Sequence, residues 1–270
     1  MKNPIYHFIF GLDPVFANKP FEFFHYLCLK SCYISQDKPQ IWMHIIHEPQ
    51  NNIWWEKSKE FFKIIRYEKL PDLCYTCNGL DVYRPEHRSD IFRLLLLQEH
   101  GGVYADIDTF FYKPFFPHFD NQTMVMGLES IYHVGWDHLE VTGICNALII
   151  AEKSTKFIDI WLNEYKIGYD NYDWNAFSVR KPYSLSQQYK DLIHVEPVHT
   201  FHKYNWCELI YDEVTYENGF YLNYLADNGI FSKHICESKI FNRMSSLTNE
   251  KLKTSTSLFA RMCRNIDGLL

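Results

Sequence analysis

The sequence predicts an α/β fold, a mostly parallel sheet with helices on both faces and an irregular, helix-rich C-terminal part. Two observations predict it. Short apolar runs alternate with longer amphipathic ones from residue 5 to residue 166, and that alternation marks parallel strands joined by crossover helices. The chain has 270 residues, 47% hydrophobic and 17% aromatic, with no repeat, low-complexity stretch or Gly/Ser linker. It can therefore bury one full core and is expected to form a single domain over residues 1–270.

In order, the spacing predicts a strand over 5–10, a helix over 21–35, a strand over 41–47, a helix over 53–62 and a strand over 63–67. A helix over 90–98 follows and is stopped by Gly101 and Gly102, because glycine accepts the left-handed conformation that ends helices. Val103-Tyr104-Ala105 is then a short strand. Further strands are expected over 123–128 and 145–150, with a helix over 155–166. Beyond Gly168 the chain is aromatic, loop-rich and poorly periodic, up to a basic amphipathic tail at 251–270.

The short strand carries Asp106 and Asp108 to its tip. Side chains two apart on an extended segment point to the same side, so the pair can share one hard divalent cation. Asp90 and Arg93 stand three apart on the preceding helix and share a face. Sheets of this class bind ligands at the carboxyl ends of their strands, where Phe10 and Asp106 both fall. A cation held there neutralises a departing diphosphate as a Lewis acid, and Mg²⁺ or Mn²⁺ suits such oxygen ligands. Asp90 and Arg93 would hold sugar hydroxyls by charge-assisted hydrogen bonds. An acidic turn beside an ordinary helix pair is the plain alternative.

Ser89-Asp90-x-x-Arg93-x-x-x-Leu97-x-x-x-Gly101-Gly102-x-Tyr104-x-Asp106-x-Asp108, closing on Lys113-Pro114, resembles the DXD sugar-binding region of the Och1-like and capsular-polysaccharide glycosyltransferases. The clostridial glucosylating toxins share this motif. His7-Phe8-Ile9-Phe10-Gly11 is similar to the family's opening His-x-x-Trp-Gly strand, and Asn146-Ala147-Leu148-Ile149-Ile150-Ala151 to its Asn-Ala-x-x-Ala strand. The resemblance covers residues 5–151 and implies a GT-A-like, Rossmann-like fold. It further implies a metal-dependent, retaining transferase that uses Mn²⁺ or Mg²⁺. Such an enzyme moves a hexosyl unit from a nucleotide sugar, UDP-sugar ahead of GDP-sugar, to a carbohydrate or lipid-linked glycan, as in lipooligosaccharide or capsule synthesis. By the same resemblance Asp90, Arg93, Asp106 and Asp108 are catalytic, with Asp106 and Asp108 on the metal. Phe10, Ser89, Tyr104, Asn146 and Ser238 contact the donor. Phe10 stands where the family has a base-stacking aromatic, usually Trp, and offers a smaller π face. The late His-x-x-x-Ser-Trp element is met by His234-Ile235-Cys236-Glu237-Ser238-Lys239, in which Ser238 fits and Lys239 does not. Residues 5–151 then form the nucleotide-sugar core and 152–250 the acceptor region.

Two other functions compete. Asp106-Ile107-Asp108-Thr109 also resembles the nucleophile signature of haloacid-dehalogenase-like phosphatases, whose first Asp attacks phosphorus, but the later Lys and distal acidic pair are not evident. A non-catalytic sugar-nucleotide-binding module is the other. Cys28/Cys32 and Cys74/Cys77 could be drawn as a zinc site, yet the first pair lies in an amphipathic helix, and buried free thiols are expected instead. The first ten residues lack a signal-peptide pattern, and no apolar run approaches the ~20 residues that span a bilayer. A cytoplasmic protein with no nucleic-acid partner is expected. In the tail, Lys251, Lys253, Arg261 and Arg264 accompany Leu258, Phe259, Met262 and Ile266 at helical spacing. Such a helix either docks on the body, which is favoured, or lies on an anionic membrane surface at the inner face.

Overall fold

The computed structural model describes residues 3–13, 20–133, 139–202, 229–236, 241–242 and 244–270. In chain order its first half comprises β1 (Ile5–Ile9), α1 (Phe23–Ser35), β2 (Gln40–Ile45), α2 (Ile53–Ser58), β3 (Phe62–Arg66), β4 (Thr76–Cys77), β5 (Leu80–Asp81), α3 (Pro85–His100), β6 (Gly102–Ala105) and β7 (Thr109–Phe111). There follow β8 (Met124–His133), β9 (Leu139–Ala151), α4 (Lys156–Gly168), α5 (Lys181–Gln188), β10 (His194–Glu196), α6 (Val198–Phe201), β11 (Ser232–His234), α7 (Asn249–Thr254) and α8 (Leu258–Arg264).

Seven strands form one sheet in the order β10-β8-β9-β6-β1-β2-β3. β1 pairs in parallel with both β2 and β6, and β2 with β3, whereas β9 runs antiparallel between β6 and β8. The sheet is thus mostly parallel, as the alternation predicts. Its strand order reverses at β1, which has β2 on one side and β6 on the other. That is a topological switch point, where such sheets open a crevice at their carboxyl ends.

Period-two alternation sorts the strand side chains onto two cores. Tyr104, Met124, Met126 and Ile149 pack beneath α3 and α4 with Phe92, Leu97, Phe157 and Trp161. Val103, Ala105, Val125, Leu148 and Ile150 face the other way, toward Leu29 and Cys32 of α1. Cys28 and Cys32 belong to the α1 side, while Cys74 and Cys77 lie in the core beneath α3, so the sheet separates the two pairs.

α3 begins earlier than its apolar periodicity suggests. Pro85 occupies its first turn behind the N-cap Arg84, where a missing N–H costs nothing and φ is preset for helix. At the other end Gly101 (φ 66°) caps the helix and Gly102 (φ 111°) starts β6; a Cβ on Gly102 would sit 2.3 Å from the Ile5 carbonyl oxygen. A buried polar chain holds this junction. His7 Nε2 lies 2.9 Å from the Gly101 carbonyl, His7 Nδ1 2.9 Å from His44 Nε2, and His44 Nδ1 2.9 Å from the Tyr67 hydroxyl. Because a carbonyl only accepts, His7 donates from Nε2, His44 donates to His7, and Tyr67 donates to His44. Burial lowers His7 to about 4 and His44 to about 2, so both rings are neutral and every nitrogen is satisfied.

The segment after Gly168 holds more regular structure than its sequence suggests: α5, β10 and α6, with β10 extending the sheet beside β8. The tail corrects a second expectation. It is two short helices, α7 and α8, with Ser257 capping α8 by accepting from the Ala260 amide. Leu252, Phe259, Met262 and Ile266 are buried against Phe23, Phe24 and Leu27 of α1. Docking thus consumes the apolar face that membrane binding would need, and the basic side chains stay outward. Among the described residues no helix is long and apolar enough to cross a membrane. Phe259→Ala is expected to cost about 3–5 kcal/mol, read as a lower urea midpoint. An unchanged midpoint would mean that the tail does not brace α1.

Candidate active site

β6 ends at Ala105, at the switch point, and the next three residues make a turn instead of continuing the strand. The Thr109 amide donates to the Asp106 carbonyl (2.9 Å). Asp106 and Asp108 therefore converge through a β-turn rather than through the extended geometry expected from sequence, and β7 then carries the chain away. β7 pairs antiparallel with β11, placing His234 opposite Thr109, and the Ile235 amide donates to the Asp108 carbonyl (2.9 Å).

Arg93 organises the site from α3. Its guanidinium donates from Nε to the Ser89 carbonyl (3.2 Å), from Nη1 to the Asn146 carbonyl (2.9 Å), and from Nη2 to Ser89 Oγ (3.3 Å). It also pairs with Asp90 Oδ1 (3.0 Å) and Asp106 Oδ1 (3.1 Å) and stacks over the Tyr104 ring at 4.5 Å. Three hydrogen bonds and two ion pairs thereby hold the guanidinium from within the protein. Arg93 is 4% exposed, which seals it inside the protein. Arg93, expected from sequence to read sugar hydroxyls, is held by these contacts to Ser89, Asp90, Asp106 and Asn146.

The other groups are held just as definitely. Asn146 Nδ2 donates to Asp90 Oδ1 (2.7 Å), and the Tyr104 hydroxyl to Asp106 Oδ1 (2.6 Å). Burial pushes the Asp90 carboxyl above its ordinary range, against the pull of Arg93. Ser89, Asp90, Arg93, Tyr104, Asp106 and Asn146, read from separate parts of the sequence, thus form one network. Phe10 lies outside it. Its ring is 7% exposed and packs with Phe21, His25 and Trp55, the last stacked at 6.0 Å, so it forms a floor at the end of β1. Ser238 lies outside the described residues.

Sequence reasoning placed His234 near the family's late element and gave it no role. The structure puts its Nε2 3.2 Å from Asp108 Oδ1 and 3.7 Å from Asp106 Oδ2. Ligand atoms of Asp106, Asp108 and His234 all lie within 4.8 Å of one another. Burial opposes a charge on His234, but Cys236 and the Asp108 carboxylate facing it hold its pKa well above the ordinary histidine value. The turn thus attracts positive charge. Two carboxylates and an imidazole suit a first-row divalent cation, so the donor set fits a metal. Asp106 Oδ1 is occupied by Tyr104 and Arg93, which leaves Oδ2 as its ligand atom.

The family described as a glycosyltransferase sugar-binding region containing a DXD motif matches residues 33–127, the stretch that contains Asp90, Arg93, Asp106 and Asp108. Residues 33–127 thus match a DXD glycosyltransferase region. The chain is 28% identical over 265 residues to "Glucan organizing enzyme 1" of Cryptococcus neoformans var. grubii, covering 97% of this chain and 70% of that relative. The WbbM bifunctional glycosyltransferase superposes with a TM-score of 0.50 at 10% identity, over 99% of this chain and 50% of its own, a likeness of fold. The PaToxG glycosyltransferase aligns over 98% of this chain and 87% of its own, with a TM-score of 0.42 and 16% identity. The fold is of the GT-A type. The phosphatase reading falls away on spacing as well, because Thr109 follows Asp108 directly, with a buried hydroxyl at the start of β7.

Proposed function

We propose that this glycosyltransferase moves a hexosyl unit from a nucleotide sugar, a UDP-sugar ahead of a GDP-sugar, to a hydroxyl of a surface polysaccharide, with retention of configuration. One observation carries the proposal: two carboxylates and His234 converge at the switch-point crevice, with Asp90 beside them. Asp106 Oδ2, Asp108 and His234 would hold a divalent cation, and the imidazole in the set favours Mn²⁺ over Mg²⁺. When bound, the cation supplies charge neutralisation to the leaving diphosphate.

The chain's own groups do the rest. Arg93 and Tyr104 fix Asp106 Oδ1, so the other oxygen is aimed without a loss of freedom on binding. Both contacts to Asp90, from Arg93 and Asn146, fall on Oδ1, which leaves Oδ2 to accept a hydrogen bond from a sugar hydroxyl. Ser89 serves by holding Arg93. Phe10 lies at the base end of the crevice, where its ring would support a base rather than sandwich it. The acceptor we propose is a surface glycan, a reading that the word glucan in the fungal relative's name supports; residues 152–250 would supply its contacts.

Asp90→Asn keeps the shape but weakens the acceptor. Transfer is expected to fall by about ten- to a hundredfold, the worth of one charged hydrogen bond, while UDP alone binds normally. Loss of UDP affinity with the fold intact would move Asp90 to another part of the donor. The reading itself is tested by incubating the protein and Mn²⁺ with a panel of UDP- and GDP-sugars, without acceptor. Slow hydrolysis of one sugar nucleotide, with phosphomonoesters untouched, is expected. Tight binding without turnover, even with glycan extracts added, would leave a binding module.

A further inference from the structure

Behind the carboxylate turn the same cleft holds a second, chemically different set of groups. The thiol of Cys145 on β9, a ring nitrogen of His202 at the end of α6, and a ring nitrogen of His234 on β11 all lie within 4.8 Å of one another. The three come from far apart in sequence and are held by backbone contacts. The Phe231 amide donates to the Thr200 carbonyl (2.9 Å), tying α6 to the start of β11, and β11 is bound to the turn through Ile235. Gly127 makes room for the second imidazole: a Cβ there would lie 2.9 Å from His202 Cδ2 and 3.2 Å from its Nε2.

His202 supplies an independent sign of a ligand. It is 2% exposed, and neither ring nitrogen has a hydrogen-bond partner among the described residues. An imidazole buried this way leaves a donor and an acceptor unmet, which native proteins rarely tolerate unless an ion or other ligand completes the site. Burial, with His234 and Lys233 beside it, holds His202 well below the ordinary histidine pKa, so it is neutral and has a lone pair to give. Glu129 is hydrogen-bonded to Cys145, and burial pushes its carboxyl above the ordinary range.

We propose that Cys145, His202 and His234 form a second cation site, for a thiophilic divalent ion such as Zn²⁺. Thiolate and imidazole donors select such ions over Mg²⁺ or Mn²⁺, and three protein ligands leave a fourth position for water. Binding forms one S–Zn bond and two N–Zn bonds. The Cys145 S–H proton and the proton that His234 carries both pass to solvent, so two protons are released per ion and no electron moves. His234 stands between the two donor sets, so a thiophilic ion draws it away from Asp106 and Asp108. That consequence rests on the proposed metal role of the carboxylates; the cation site itself does not.

The test is a Co²⁺ titration of the full chain, followed by the thiolate-to-cobalt charge-transfer absorption. The wild type is expected to bind one equivalent and show the band. Cys145→Ala and His202→Gln are expected to lose the band and to bind Co²⁺ about a hundredfold more weakly, whereas Cys236→Ala and Asp108→Asn keep it. Far-UV circular dichroism checks each fold. If His202→Gln does not fold, Cys145→Ala, which removes one buried sulfur, decides alone. A band of wild-type strength in Cys145→Ala, its loss in Cys236→Ala instead, or no band in the wild type overturns the proposal.

Discussion

Asp108→Ala is expected to cut transfer by about a hundredfold or more, because a metal's charge stabilisation is worth several kcal/mol in the transition state. Its carboxylate is nearly sealed, 4% exposed, and it faces His234 at 3.2 Å. Loss of the charge removes a ligand and also leaves His234 without its nearest anion. The measurement is initial transfer rate against Mn²⁺ concentration. In the variant, extra Mn²⁺ should not restore the wild-type rate. A rate within a few-fold of wild type would remove Asp108 from the cation.

Arg93→Ala is expected to damage stability and activity together. The guanidinium pairs with Asp90, and it also grips Asp106. Removing one member of a buried pair strands the other, at about 3–5 kcal/mol. For a chain of this size that corresponds to a drop of roughly 10 °C in Tm. Nucleotide binding in Mn²⁺ should weaken as well, since Asp106 loses a support. Lysine cannot substitute, because its ammonium lacks the planar fork that reaches Ser89, Asp90, Asp106 and Asn146 at once. Thermal unfolding beside a UDP titration separates the outcomes. A variant with wild-type Tm and weakened sugar use alone would return Arg93 to the role of a hydroxyl reader.

Much of this network is legible in the sequence because its parts sit at fixed local spacings. Asp90 and Arg93 share a helix face, Gly101 and Gly102 punctuate, and Asp106 and Asp108 follow a strand. What local spacing cannot supply is the partner that arrives from a distant strand. His234 reaches the turn through the β7–β11 pairing, which brings together segments far apart in the chain, and no periodicity encodes that. The start of α3 was hidden differently: Pro85, Glu86, His87 and Arg88 give no apolar stripe, although Pro85 is itself a start signal. β9 reads as a strand, but its antiparallel direction depends on the hairpin with β8. The tail carries helical spacing throughout, and the break between α7 and α8 comes from the cap chemistry of Ser257, which competes with that spacing.

Whether Asp106, Asp108 and His234 hold the cation is measured by Mn²⁺ binding, followed by the loss of the free-ion electron paramagnetic resonance signal, with and without UDP. One Mn²⁺ site, tightened by UDP, is expected in the wild type. Asp106→Asn, Asp108→Asn and His234→Ala are each expected to weaken that site by about tenfold or more, while Phe10→Leu leaves it unchanged. Mn²⁺ binding of wild-type strength in all three ligand variants would contradict the assignment of the cation to these residues.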